Sequence, residues 1–300
     1  MPSLFDRMIA DLIPAVPRPI VRRISRRYIA GETSADVLRI AKEFKARGLR
    51  TTMDILGEDC RRRDQAREST RQYLELIRLQ AAEGVDRNVS LKLTQLGLKL
   101  DPGFCLENMA SIMGLAAETG GKVRIDMEDS RCTDGAIRVF RELRPRFENV
   151  GLVLQACLYR TEEDVRRLAP LTPDYRLCKG SYVEAPAVAI QSPAGINENY
   201  LKVLARMWEQ GSYVGVATHD EALIRRVLAL IERQRIGKDR YEFQMLLGVT
   251  ESLRDRLLAQ GHPLRVYLPF GREWYAYCVR RLKENPAIAG HVMRALFRRS

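Results

Sequence analysis

Eight short runs rich in β-branched and aromatic residues recur along the chain of 300 residues, and each is followed by a helical pattern. They are TTMDIL (51–56), NVSLKL (88–93), KVRIDM (122–127), GLVLQAC (151–157), YRLCK (175–179), YVGVAT (213–218), YEFQML (241–246) and LRVYLP (264–269). Runs of this kind suit strands covered on both faces. Strands that alternate with helices run parallel, because each helical crossover returns the chain to the same end of the sheet. Closure of eight such units gives an α/β fold of the (β/α)8 barrel type, which this length accommodates. An open doubly wound sheet is the competing arrangement.

Helix formers and capping residues mark the segments between the runs. After the first, EDCRRRDQARESTRQYLELIRLQAAEG is rich in helix formers and stops at Gly84. After the third, Thr133 or Asp134 is the expected N-cap of TDGAIRVFRELRPRF. After the sixth, His219 or Asp220 is that of EALIRRVLALIERQR. Two or three short helices are expected before the barrel. Residues 1–50 thus read as a helical segment packed on it, and residues 51–300 as the catalytic barrel with a basic C-terminal tail.

In parallel barrels the active site lies at the C-terminal ends of the strands. Polar residues gather there: Lys92, Thr94 and Gln95 on the second run; Asp126, Glu128 and Asp129 on the third; Gln155 on the fourth. Arg176, Lys179, Gly180, Ser181 and Tyr182 follow on the fifth, Thr218 and His219 on the sixth, Gln244 on the seventh and Tyr267 on the eighth. Each has a plain structural alternative. Lys92 and Asp126 can form a buried ion pair, His219 can be only a cap, Lys179 can be solvated, and Gln155 can satisfy a backbone group. Unpaired polar groups inside strands are costly, so their recurrence points to a polar pocket over an apolar barrel. RLCKGSY unites an arginine, a lysine, an approachable glycine backbone and a hydroxyl, a set that suits phosphate. No GxGxxG or Walker sequence is present, so a phosphate-bearing cofactor would sit on a barrel rim rather than in a Rossmann or P-loop site.

The closing stretch YLPFGREWYAYCVRRLKENP (267–286) reads as a helix with two adjacent arginines. Helical spacing puts Tyr275, Cys278, Val279 and Leu282 on one stripe and Tyr277, Arg280, Arg281 and Glu284 on a second. The first can pack on the barrel while the second offers two guanidinium groups to a carboxylate. The competing reading is a pair of solvated arginines, one of them paired with Glu284.

The formal net charge of +12 raises the question of a polyanionic partner. The arginines are spread over many helical segments, which argues against nucleic acid. The basic, partly apolar stretches RPIVRRISRRYIAG and HVMRALFRRS suit an anionic membrane surface, and a solvated basic surface is the alternative. Six scattered cysteines without a CxxC pair, and three distant histidines, argue against a zinc site and fit a reducing cytoplasm. No secretory signal or run of eighteen apolar residues is seen.

Taken in order, SLKLTQLGL, VRIDMED, LVLQACLYR, YRLCKGSYVE, VATHD, YEFQMLLGV and RVYLPFGREWYAYCVRRLKENP resemble the successive motifs of proline dehydrogenase in its short bacterial form. The resemblance runs from about residue 50 to residue 297. It implies a distorted (β/α)8 barrel with a final helix over its mouth, holding FAD without a covalent link. It further implies oxidation of L-proline to Δ1-pyrroline-5-carboxylate, with electrons passed to a membrane quinone. Arg280, Arg281 and Lys92 would grip the proline carboxylate, with Asp126 orienting the lysine and Glu284 steadying the arginines. Tyr182, Leu246 and Tyr267 would pack on the pyrrolidine ring. Arg176 and Gln155 would approach the flavin, Met127 would touch it through its backbone, and Lys179, Gly180, Ser181, Thr218 and His219 would complete the cofactor contacts. Two departures stand out: Val183 replaces a tryptophan of bifunctional relatives, and Asn197 in INENY replaces a common aspartate. The alternatives are a hydroxyproline dehydrogenase, a barrel flavoenzyme like methylenetetrahydrofolate reductase, and a Schiff-base aldolase using Lys92 or Lys179. The implied location is the cytoplasm, on the inner face of the membrane, with a pyrroline-5-carboxylate dehydrogenase as a candidate partner.

Overall fold

Each of the eight β-branched runs becomes a strand. The computed structural model describes residues 27–275 and residue 277. Within it β1 (Arg50–Ile55), β2 (Asn88–Leu91), β3 (Lys122–Ile125), β4 (Val150–Gln155), β5 (Asp174–Cys178), β6 (Tyr213–Ala217), β7 (Tyr241–Leu246) and β8 (Leu264–Phe270) form a closed barrel in sequence order. All neighbours are parallel, and β1 closes on β8 with Arg50 opposite Arg265 and Ile55 opposite Phe270. Closure settles the choice between barrel and open sheet and leaves no sheet edge.

Helix α1 (Ser34–Ala46) precedes the barrel. Thr33 and Asp36 form a capping box at its start, and it buries Val37, Leu38, Ala41 and Phe44. The part of the N-terminal expectation that falls on residues 1–26 lies outside the described residues. The crossovers are α2 (Arg63–Ala82), α3 (Pro102–Glu118), α4 (Thr133–Leu143), α5 (Thr161–Leu168), α6 (Pro193–Glu209), α7 (Glu221–Gln234) and α8 (Glu251–Ala259). Asp220 caps α7 by accepting from the Leu223 amide, as one of the two expected candidates. The N-cap expected at Thr133 or Asp134 is corrected. A 3-10 turn, Ser130–Cys132, precedes α4, and Asp129 caps that turn instead.

The period of two along each strand separates two populations. Val89, Leu91, Val123, Ile125, Tyr175, Leu177, Val214, Val216, Phe243, Met245, Val266 and Leu268 belong to the buried apolar core. The alternate residues point into the barrel and bond across it. Arg124 on β3 reaches Asp174 on β5, Arg176 on β5 reaches Ser90 on β2 and Gln244 on β7, and Tyr267 on β8 reaches Asp126 immediately after β3. The expected polar pocket over an apolar barrel is corrected accordingly. The barrel interior is polar through much of its depth, and the core lies between strands and helices. Glu242 and Arg265 fill the inner end as a buried pair at 2.6 Å, so the charges are desolvated together.

Candidate active site

The strand ends open into a cavity of about 420 Å3. Lys92, Asp126, Met127, Arg176, Lys179, Gly180, Ser181, Tyr182, Thr218, His219, Leu246 and Tyr267 all line it, so twelve sequence-predicted residues converge on one space. Gln155 faces a neighbouring cavity of about 20 Å3 that shares Asp126, Met127 and Val153 with the first. Arg280, Arg281 and Glu284 lie outside the described residues. Tyr277, which spacing groups with them, is buried and lines the large cavity.

At the floor Asp126 gathers four donors. Its Oδ2 accepts from Tyr267 Oη at 2.9 Å and Ser90 Oγ at 3.2 Å. Its Oδ1 accepts from the Met127 amide at 3.0 Å and Arg176 Nη1 at 3.4 Å. Burial opposes ionisation of this carboxyl. The Arg176 and Lys92 charges and the Tyr267 hydroxyl outweigh it, so its pKa falls below the usual aspartate value. Burial also raises the Tyr267 phenol well above its ordinary pKa, with the Asp126 charge adding to the effect, which keeps the hydroxyl a donor.

A second carboxylate joins Asp126 beside Lys92. Lys92 Nζ lies 3.5 Å from Oδ2 of Asp54 on β1. Asp126 feels Lys92 as a nearby charge. Asp54 is fully buried and its pKa is raised by burial, with Lys92 pulling the other way and the Asp126 charge reinforcing burial. Sequence reading missed Asp54. The available signal was a carboxylate inside an otherwise apolar strand run.

The rim is held by a second charged group. Lys179 Nζ lies 2.6 Å from Asp220 Oδ2, and Asn197 Nδ2 donates to the same oxygen at 3.1 Å. An aspartate at 197 could make no such bond, so the asparagine fits this loop. Burial opposes ionisation of Asp220, but Lys179, the Leu223 amide and Asn197 bring its pKa to about 2. His219 is not the cap of α7: its Nε2 accepts from the Leu246 amide at 2.9 Å, tying the end of β6 to β7. Behind the rim, Gly180 has φ +113, and a Cβ there would stand 2.3 Å from Cys157 Sγ. Among the cavity residues, the Cys178 thiol is pushed up to about 12 by burial, so it is no ready nucleophile.

Fixed charges of both signs surround the apolar and aromatic surfaces of Leu246, Tyr267 and Tyr277, which suits a small zwitterion. The fold and site define a (β/α)8 barrel enzyme with its pocket at the strand ends. The family model described as Proline dehydrogenase matches residues 37–294. Proline dehydrogenase 2 of Bacillus subtilis (strain 168) is 37% identical over 261 residues, 87% of this chain and 86% of that protein. Proline dehydrogenase of Deinococcus radiodurans is 35% identical over 300 residues, covering 96% of this chain and 97% of its own. The chain belongs to the proline dehydrogenase family and is an oxidoreductase that acts on proline, of the short bacterial type. Among solved structures, proline utilization A from Bdellovibrio bacteriovorus, inactivated by N-propargylglycine, superposes with a TM-score of 0.84 at 23% identity. That match covers 94% of this chain and 36% of the larger protein, and it shows the shared barrel.

Proposed function

We propose that the cavity binds L-proline against non-covalently held FAD, releases Δ1-pyrroline-5-carboxylate and passes the electrons to a membrane quinone. The observation that carries this reading is the Arg176 guanidinium in the cavity wall, fixed on one side and with its buried Nη2 left without a partner. The donor set fits a flavin. Arg176 Nη2 is an unpartnered buried donor and Gln155 Oε1 an unpartnered buried acceptor. Gly180 keeps open a space that a side chain would fill, 3.3 Å from that acceptor. Met127, Gln155, Arg176, Lys179, Gly180, Ser181, Thr218 and His219 would hold the cofactor.

When bound, FAD supplies the two-electron acceptor for the hydride that leaves proline C5. The amine loses a proton and the ring gains its C=N bond. The chain's part is positioning and charge. Lys92, Arg280 and Arg281 grip the carboxylate, and Glu284 steadies the arginines. Tyr277, which the sequence spacing groups with the arginines, lines the cavity and so supports this assignment. Tyr182, Leu246 and Tyr267 pack on the ring. Asp126 holds Tyr267 and Arg176 in register.

The test is direct. Flavin-loaded protein should bleach on anaerobic addition of L-proline and release a cyclic imine that an aromatic amino-aldehyde traps. Protein that stays oxidised with proline ends this reading. Delivery to a membrane quinone accords with the basic, partly apolar stretches near both ends of the sequence and implies residence on the inner face of the cytoplasmic membrane, with a pyrroline-5-carboxylate dehydrogenase to take the product. Among the described residues no helix is long and apolar enough to cross a membrane. Salt-sensitive pelleting with anionic vesicles is expected, and no pelleting at low salt counts against the membrane assignment.

A further inference from the structure

We propose that Gln244 is a positioning residue that fixes the Arg176 guanidinium in one orientation, and that Gly215 gives Gln244 the room to do so. This rests on the proline-oxidising reading above. Arg176 Nε donates to Gln244 Oε1. A glutamine can present either its oxygen or its nitrogen, but here the choice is dictated. Gln244 Nε2 donates at 2.7 Å to Glu242 Oε1, two residues back on the same inward face of β7. Burial opposes ionisation of Glu242, yet Arg265 and Gln244 hold its pKa at about 2. An ionised carboxylate only accepts, so the amide must turn its NH2 inward and its oxygen toward Arg176.

Glu242 is itself locked. Arg265 grips it through Nε at 2.6 Å and Nη2 at 3.2 Å, and donates from Nη1 to the Thr51 carbonyl at 2.6 Å. A ladder therefore runs from the barrel's inner end to the cavity: Arg265, Glu242, Gln244, Arg176. At its top, Arg176 Nη1 donates to Ser90 Oγ at 3.0 Å and to Asp126, while Nη2 stays unpartnered. Gln244 anchors the guanidinium on its Nε edge, so the orphan donor faces one direction before anything binds. Preorganised donors stabilise developing charge without reorganisation in the reaction.

Gly215 on β6 lies between the two partners, opposite Arg176 on β5 and Glu242 on β7. A Cβ there would stand 2.4 Å from Gln244 Nε2, 2.7 Å from its Cδ and 3.2 Å from its Oε1. The three nearest atoms all belong to the Gln244 amide. Gly215→Ala thus displaces the glutamine without deleting it.

Gln244→Met and Gly215→Ala are compared with the parent as flavin-loaded proteins. Both variants are expected to lose about tenfold or more in kcat while the proline KM stays within about threefold. Both should shift the flavin midpoint potential to a more negative value, because the Arg176 charge no longer points at the electron sink. Melting temperatures should stay within about 5 °C of the parent. Should Gln244→Met not fold, Gly215→Ala decides. The proposal is overturned if potential and kcat stay at the parent values, if only the melting temperature falls, or if Gly215→Ala behaves as the parent. A parent that neither holds flavin nor oxidises proline overturns the functional reading as well, whereas an active parent with unaltered variants overturns this proposal alone.

Discussion

Tyr267 illustrates how one side chain is fixed by several independent contacts. Its hydroxyl bonds Asp126 at 2.9 Å, the Arg176 guanidinium stands 5.2 Å from its ring centroid, and Leu246 is its neighbour across β7 and β8. A ring held this way cannot swing aside for a larger substrate. Proline should therefore exceed 4-hydroxyproline in kcat/KM by about tenfold to a hundredfold, and Tyr267→Ser should narrow the ratio. Equal values in the parent protein would contradict a steric role for this ring. Tyr267 and Lys92 were legible in the sequence as polar groups near strand ends, whereas Asp54 beside Lys92 was not. Asp54 precedes the lysine by 38 positions, and only the pairing of β1 with β2, Asp54 opposite Ser90, brings it close. Parallel register is a long-range property that no local pattern encodes.

Strand β5 and its loop show the same division at the level of an element. Its existence was readable because Tyr175 and Leu177 are apolar and buried, while Arg176 between them faces the barrel. The turn after it depends on Gly180, whose backbone takes a positive φ and whose missing Cβ leaves Cys157 its place. Gly180→Ala should destabilise the protein by roughly 1–3 kcal/mol and lower the flavin retained after desalting. Parent-like melting and full flavin content would show that this loop shapes no cofactor cradle. Helix starts were less legible than strands, since Thr133 and Asp134 had the right chemistry for a cap one turn too late. The 3-10 turn capped by Asp129 had already begun the helix.

Across the whole molecule, the polar barrel interior makes stability depend on acid. Glu242, Asp174 and Asp126 all titrate below their ordinary values in the folded state. For each, burial opposes the shift and buried arginines outweigh it: Arg265 for Glu242, Arg124 for Asp174 and Arg176 for Asp126. A depressed folded pKa contributes stability that is complete above the unfolded value and is lost as pH falls through the folded one. Glu242, lowered from 4.5 to about 2, would alone carry roughly 3 kcal/mol over that interval. Asp54 and Glu128, both raised by burial, act in the opposite sense and favour the folded state as acid increases. The strong depression of Glu242 sets the expected window, so the melting temperature should drop as pH falls from about 4.5 towards about 2. Glu242→Gln should be less stable at neutral pH, because Arg265 loses its buried counter-charge, and flatter below about pH 4.5, because the main titrating group is gone. If the variant fell with acid as steeply as the parent, the acid sensitivity would belong to surface carboxylates rather than to the charged interior that aligns Arg176.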